Sequence, residues 1–184
     1  MTALTTQQLQ ASTGCTPERA ARWLPHIERA CQLYGIDNPK RLAAFLAQIG
    51  HESGRLRYVR EIWGPTPAQA RYEGRADLGN NQPGDGKRFM GRGLIQITGR
   101  ANYRAVTTGL WMQDKHAPNF ERMPELLELP AWAALSAGWY WHSRNLSPLA
   151  DAGRFEAITR KINGGLNGQA DRVALYGAAL SVLA

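Results

Sequence analysis

Cysteine is nearly missing from this sequence: Cys15 and Cys31 are the only two in 184 residues. Two thiols make no disulfide framework, and the expectation is a pair of small buried hydrophobes rather than a bridge. The chain also lacks an apolar run long enough to span a bilayer, so stable membrane insertion is not expected. Its first residues, Met1-Thr2-Ala3-Leu4-Thr5-Thr6-Gln7-Gln8, have neither the basic nor the apolar region of a secretory signal, which points to synthesis in the cytoplasm. The four histidines, His26, His51, His116 and His142, have no metal-ligand spacing. The glycines form neither a phosphate loop nor a dinucleotide fingerprint, because no Gly-Lys-Ser/Thr follows them. Repeats, linkers and low-complexity tracts are absent, and one domain over residues 1–184 is expected, with apolar content sufficient for its core.

Positive charge, in contrast, is in excess. The net charge is +7, and the stretch 51–104 holds ten Lys or Arg against five acids. A basic field around a cleft attracts a polyanion: nucleic acid, anionic lipid headgroups and the acidic bacterial cell wall all qualify. A merely solvated surface is the plain alternative. No nucleic-acid-binding motif accompanies the charge.

Helical signals dominate the chain. Residues 4–12 suit a short amphipathic helix ending at Gly14. Thr16 is a candidate N-cap with Pro17 behind it, and Ala20, Trp23, Leu24, Ile27, Cys31 and Tyr34 recur at helical spacing until Gly35. Asn38-Pro39 repeats the start signal, and Leu42, Phe45, Leu46 and Ile49 form a stripe running on to Gly54. Stepping from Leu42 by three and four leads through Phe45 and Ile49 to Glu52, which places a carboxylate on the buried stripe in the last turn of its helix. Desolvation and the negative end of the helix dipole both disfavour its charged form, so Glu52 is a candidate general acid with a raised pKa. A surface Glu at a fraying helix end is the alternative.

Between residues 55 and 100 the helical period fails. Gly64-Pro65, Gly74, Gly79-Asn80-Asn81 and Pro83-Gly84-Asp85-Gly86 suggest turns, with a short helix near 67–72 and a small hairpin. Glu61 and Glu73 both lie here, and either suits a second carboxylate. Residues 92–98 read as an extended run with Leu94, Gln96 and Thr98 on one face and Ile95 and Ile97 on the other. Helices follow after Asn102-Tyr103 to Gly109, over 130–144 with an aromatic stripe of core type, around Phe155, Ile158 and Ile162, and from Ala170 to the end.

His51-Glu52-Ser53-Gly54, a Glu nine positions on, the run Gly91-Arg92-Gly93-Leu94-Ile95-Gln96-Ile97-Thr98-Gly99-Arg100-Ala101-Asn102-Tyr103, and Ile162-Asn163-Gly164-Gly165 occur in that order. Together they resemble glycoside hydrolase family 19, over about residues 16–176, and within it the cell-wall-lysing endolysins of phages and prophages more than the plant chitinases. The resemblance implies a mainly α, lysozyme-like fold with a helical lobe and a smaller irregular lobe containing short strands. It implies Glu52 as general acid, Glu61 as general base, Thr98 as holder of the attacking water, and Gln96, Asn102 and Asn163 as sugar-binding residues. Arg172 matches a family arginine at the carboxylates, where it would help keep the base ionised and stand on the substrate-binding side. The plant enzymes place their second Glu further from the first, which keeps Glu73 as a rival to Glu61. They also carry Ser at the place of Thr98, and a subsite Tyr at that of Ala101.

The activity so implied is inverting hydrolysis of a β-1,4 glycosidic bond, with the carboxyls roughly 6.5–9.5 Å apart to admit a water. No metal or cofactor is implied. Peptidoglycan is the expected substrate and chitin the runner-up, with a non-catalytic wall-binding module as the alternative class. The enzyme would be a monomer, made in the host cytoplasm and reaching the periplasmic wall when a holin opens the membrane.

Overall fold

Each of the first three helices opens on a side chain that accepts a backbone amide. Thr5 caps α1 (Thr6–Thr13), Thr16 caps α2 (Pro17–Leu33) and Asn38 caps α3 (Pro39–Glu52), and in the last two a proline follows at the first helical position. The computed structural model describes residues 3–183; Met1 and Thr2, where the stretch read for a leader begins, and Ala184 lie outside them. The chain continues through α4 (Pro67–Ala70), α5 (Asp85–Arg88), α6 (Arg100–Trp111), α7 (Pro130–Ser143), α8 (Ser147–Asp151), α9 (Phe155–Asn163) and α10 (Gln169–Leu183), with 3-10 turns at Ala76–Leu78 and Pro124–Glu128. The expected mainly α architecture is what forms.

Helix α3 is the centre. Its residues from Leu42 to Gly50 are all buried, because α1, α8 and α10 pack around it, while α2 packs on α7. Small residues allow this: a side chain at Gly50 would meet the Thr13 backbone at 3.0 Å, so α1 and α3 are in direct backbone contact. Phe45 of α3 meets Trp141 of α7 edge to face at 5.6 Å, and both are essentially inaccessible. Cys15 and Cys31 are free and buried, as expected, and burial pushes the Cys31 thiol up to about 12.

Residues 92–98 depart from the expected extended run. Arg92 and Ile97 exchange two backbone hydrogen bonds, of 2.8 and 3.1 Å, around a turn that holds Gly93 at φ 81° and Gln96 at φ 58°. Among the described residues, the hairpin and strands expected in the smaller lobe are reduced to two isolated bridges, Arg60 with Arg92 and Arg92 with Ile97. The two faces collapse with the strand: Leu94, Ile95 and Ile97 are all buried, and Gln96 and Thr98 are half-buried. Helices α5 and α8 and both 3-10 turns carry no apolar period long enough to announce them. Among the described residues, no helix is long and apolar enough to cross a membrane, and no group of three or more His, Cys, Asp or Glu forms a metal-holding cluster.

Candidate active site

The last turn of α3 meets the first turn of α10 in two adjacent rungs. In one, Arg172 Nη2 donates to Glu52 Oε1 at 2.5 Å, while Nη1 donates to Gln48 and Nε to the Asn167 carbonyl. Gln48 in turn donates to Thr159 Oγ1 at 2.9 Å. In the other, His51 Nδ1 lies 2.6 Å from Asp171 Oδ2, and Arg55 grips both oxygens of Asp171 at 3.0 and 2.5 Å. The His51 ring lies flush on the backbone at Gly168, where an added Cβ would stand 2.2 Å from Cε1. These contacts hold the Asp171 carboxyl well below the usual range, through the Arg55 hydrogen bonds first and His51 after them, with burial opposing.

The chain leaves this junction by an unusual turn. Gly54, Arg55 and Leu56 all have positive φ, of 57°, 65° and 58°. Glycine adopts that conformation freely, whereas Arg55 and Leu56 are held in it. Arg55 is tied to Asp171, the Leu56 amide donates to Ser53 Oγ, and the Leu56 carbonyl accepts from the Trp23 indole at 3.1 Å.

Glu61 is fixed by neutral donors. Its Oε1 accepts from Gln69 Nε2 at 3.0 Å and Tyr72 Oη at 3.2 Å, its Oε2 accepts from the Gly91 amide at 3.0 Å, and its own amide donates back to the Gly91 carbonyl. Gly91 joins Glu61 to the next group of residues. A Cβ there would stand 2.6 Å from Gln96 Oε1 and 3.2 Å from Thr98 Oγ1, so the side chains of Gln96 and Thr98 close over this glycine.

Gln96, Thr98 and Asn102 line one cavity with Trp139, Tyr140 and Ile162. Tyr140 also registers the charge of Glu52: its hydroxyl is raised by burial first, with Arg144 opposing and the Glu52 carboxylate adding. Asn163, next to Ile162, carries a buried Nδ2 with no hydrogen-bond partner among the described residues.

Gln96, Thr98 and Asn102 thus share one cavity, Glu61 lines a neighbouring groove and meets them through Gly91, and Glu52 is held at the junction of α3 and α10. Glu73 accepts the amides of Gly84 and Gly86 at 2.6 and 2.8 Å and so holds the turn into α5, whereas Glu61 is tied to Gly91 beside Gln96 and Thr98. Arg172 is a correction. It is only 2% exposed and all its hydrogen bonds are internal, so it stands behind Glu52 and contacts neither the solvent side of the cleft nor Glu61. Gln48, Gln69, Tyr72, Gly91 and the rung formed by His51 and Asp171 escaped the sequence reading. Gln48 alone had a signal there, one helical turn before Glu52 on the same face.

The basic excess of residues 51–104 is mostly neutralised in pairs. Arg55 binds Asp171, Arg75 binds Asp77, Arg92 binds Glu128, Arg100 binds Asp85, and Arg104 binds Glu121. Arg88 donates to the Arg122 carbonyl. Among the described residues of this stretch, Arg57, Arg71, Lys87 and Arg88 form no ion pair, and Arg60 reaches Glu128 only at 3.6 Å.

No family model matches the chain. It is 35% identical over 179 residues to a glycosyl hydrolase family 19 domain-containing protein of Haemophilus influenzae, covering 83% of this chain and 82% of that one. An endochitinase of Arabidopsis thaliana is 37% identical over 126 residues, and this match takes in 68% of this chain but 40% of the plant protein. Among solved structures, a bacterial family 19 chitinase superposes with a TM-score of 0.74 at 23% identity, covering 98% of this chain and 95% of that chain. At that identity the superposition speaks for the fold, which is the lysozyme-like, mainly α fold of the family 19 chitinases.

Proposed function

Because the chain belongs to glycosyl hydrolase family 19 and is a glycoside hydrolase, we propose that it acts as one catalytic domain of endolysin type, cutting β-1,4 bonds of bacterial peptidoglycan by a single inverting displacement. One observation carries the mechanism: on each carboxylate Oε2 is the less engaged oxygen, without a protein partner on Glu52 and with one donor on Glu61. Glu52 Oε1 is taken by Arg172, and Oε2 has no protein partner among the described residues, so Oε2 is the oxygen to carry a proton to the leaving group. Substrate lying over Glu52 excludes the water that favours its charged form. Glu61 Oε1 accepts two donors, while Oε2 accepts only the Gly91 amide and keeps a lone pair towards the space beside Thr98. A water held there by Glu61 and Thr98 Oγ1 would attack the face opposite Glu52. Gln96, Asn102 and Asn163 would hold the sugars through their amides.

The substrate reading rests on the basic excess around the cleft, which suits an anionic wall better than neutral chitin. In this reading the enzyme is a monomer made in the cytoplasm, and a holin gives it access to the wall. The test is loss of turbidity of purified cell walls beside reducing-end release from chitin oligomers. Wall clearance with slow chitin cleavage is expected. Fast chitin cleavage with intact walls would turn the assignment to a chitinase.

A further inference from the structure

The cleft is asymmetric about Glu61. On the side of Thr98 the lining is neutral and polar, with Gln96, Asn102 and Tyr140, and Arg144 as its one charge. On the other side a second groove of about 640 Å³ begins at Glu61 itself and is lined by Tyr58, Trp63 and Met90 together with Arg57, Arg60 and Lys87. Two of the four cations of residues 51–104 without an ion pair, Arg57 and Lys87, therefore stand in this one groove. Of the two acids in the groove, Glu128 is paired with Arg92 at 2.8 Å, against which Arg60 at 3.6 Å is a loose partner, and Glu61 forms no ion pair with Arg57 or Lys87, its donors being neutral groups. Arg57 lies over the Tyr58 ring at 5.0 Å, which holds its guanidinium against the groove wall. Neutral sugar hydroxyls and acetamides match the first side and do not need the second. Exposed guanidinium and ammonium groups without counter-ions match carboxylates.

Peptidoglycan differs from chitin in the acidic peptide that every second sugar carries on its lactyl ether. Taking the wall-hydrolase reading above as its premise, we propose that the groove lined by Arg57, Arg60 and Lys87 binds the free carboxylates of that stem peptide, and that this contact sets the preference for wall over chitin. The glycan would cross the neutral side at Gln96 and Asn102, pass Glu61, and present its peptide to the cations.

The experiment compares glycan strands that keep their stem peptides with strands stripped of them by an amidase. The wild-type enzyme is expected to cut the peptide-bearing strands with a kcat/KM higher by about three- to tenfold, the scale of two partly exposed charge contacts. The doubly substituted Arg57→Gln, Lys87→Gln enzyme should lose that preference and cut both strands alike. Arg71→Gln removes a free cation outside the groove and should keep the preference, which separates a groove contact from general attraction to an anionic polymer. A preference retained by the double variant, or lost equally with Arg71→Gln, would overturn the inference while leaving wall hydrolysis standing. Failure of the wild type to cut either strand would remove the premise, and the inference with it.

Discussion

The two carboxylates of the cleft are held by opposite means. Glu52 ends a helix buried from Leu42 to Gly50, and its partner is a guanidinium 2% exposed on a second helix. Glu61 lies in an irregular segment, and its partners are a backbone amide, a side-chain amide and a phenol, all neutral. Charge against charge between packed helices makes one site stiff and sensitive to the loss of either partner. Neutral donors around a loop hold the other in place, with two on Oε1 and a single one on Oε2. The contrast suits an acid that must stay put and a base that must accept.

Removal of the carboxylates gives the largest expected effect. Glu52→Gln and Glu61→Gln should each cut the rate by about 10²–10⁴-fold with far-UV circular dichroism unchanged, the usual worth of a general acid or base. Azide should restore turnover to Glu61→Ala, since a small anion can replace a base, and should not restore it to Glu52→Ala. Glu73→Gln keeps one acceptor for the amides of Gly84 and Gly86 and should be mild. A severe Glu73→Gln with a mild Glu61→Gln would reverse the assignment of the loop carboxylate.

The same contrast explains what the sequence shows of this site. Glu52 is legible because a helix repeats, so counting from Leu42 puts it on the buried face. Its partner Arg172 lies 120 residues away and is reached through the family pattern alone. In the loop no period exists, and Glu61 and Glu73 look alike until the structure shows Glu73 engaged with the turn into α5. The alternation of residues 92–98 suggested a strand, but Gly93 and Gln96 take left-handed conformations and fold it into a turn. Gly91 is the least legible of all: its role depends on the space it leaves beside Gln96 and Thr98, which no spacing rule reports.

Stability should divide along the same line. Arg172→Met strips Glu52 and Gln48 of their buried donor and should cost about 3 kcal/mol, or a melting temperature lower by roughly 6–12 °C. Gln69→Ala removes one donor from Glu61 and the acceptor that holds the amides of Gly64 and Thr66. Its cost of about 1–2 kcal/mol should fall on the loop, as faster hydrogen exchange over residues 61–70, with a smaller change in melting temperature. If both variants lower the melting temperature equally, the loop unfolds together with the helices and the contrast between the two sites is one of geometry alone.

The smallest effect tests whether charge itself holds the helix junction. Asp171 is kept ionised by Arg55 and His51, and a carboxyl depressed in the folded state contributes stability that is fully present above its unfolded value of about 3.9. That contribution is lost as the pH falls from there through the folded value. Asp171→Asn lacks it at every pH, so the variant should melt below the wild type at pH 7 and at pH 5 alike, and begin to close on it only at pH 3 and below. The Asp171 side chain is 39% exposed, and solvent screening limits the gap at neutral pH to about 1 kcal/mol or less. Raising the salt to about 1 M, where the Debye length is about 3 Å, should narrow it further. Melting curves of the two proteins at pH 7, 5 and 3 decide the matter. A gap that stays constant across them would mean that Asp171 acts through hydrogen-bond geometry and not through charge, and the two sites would then differ only in where their donors come from.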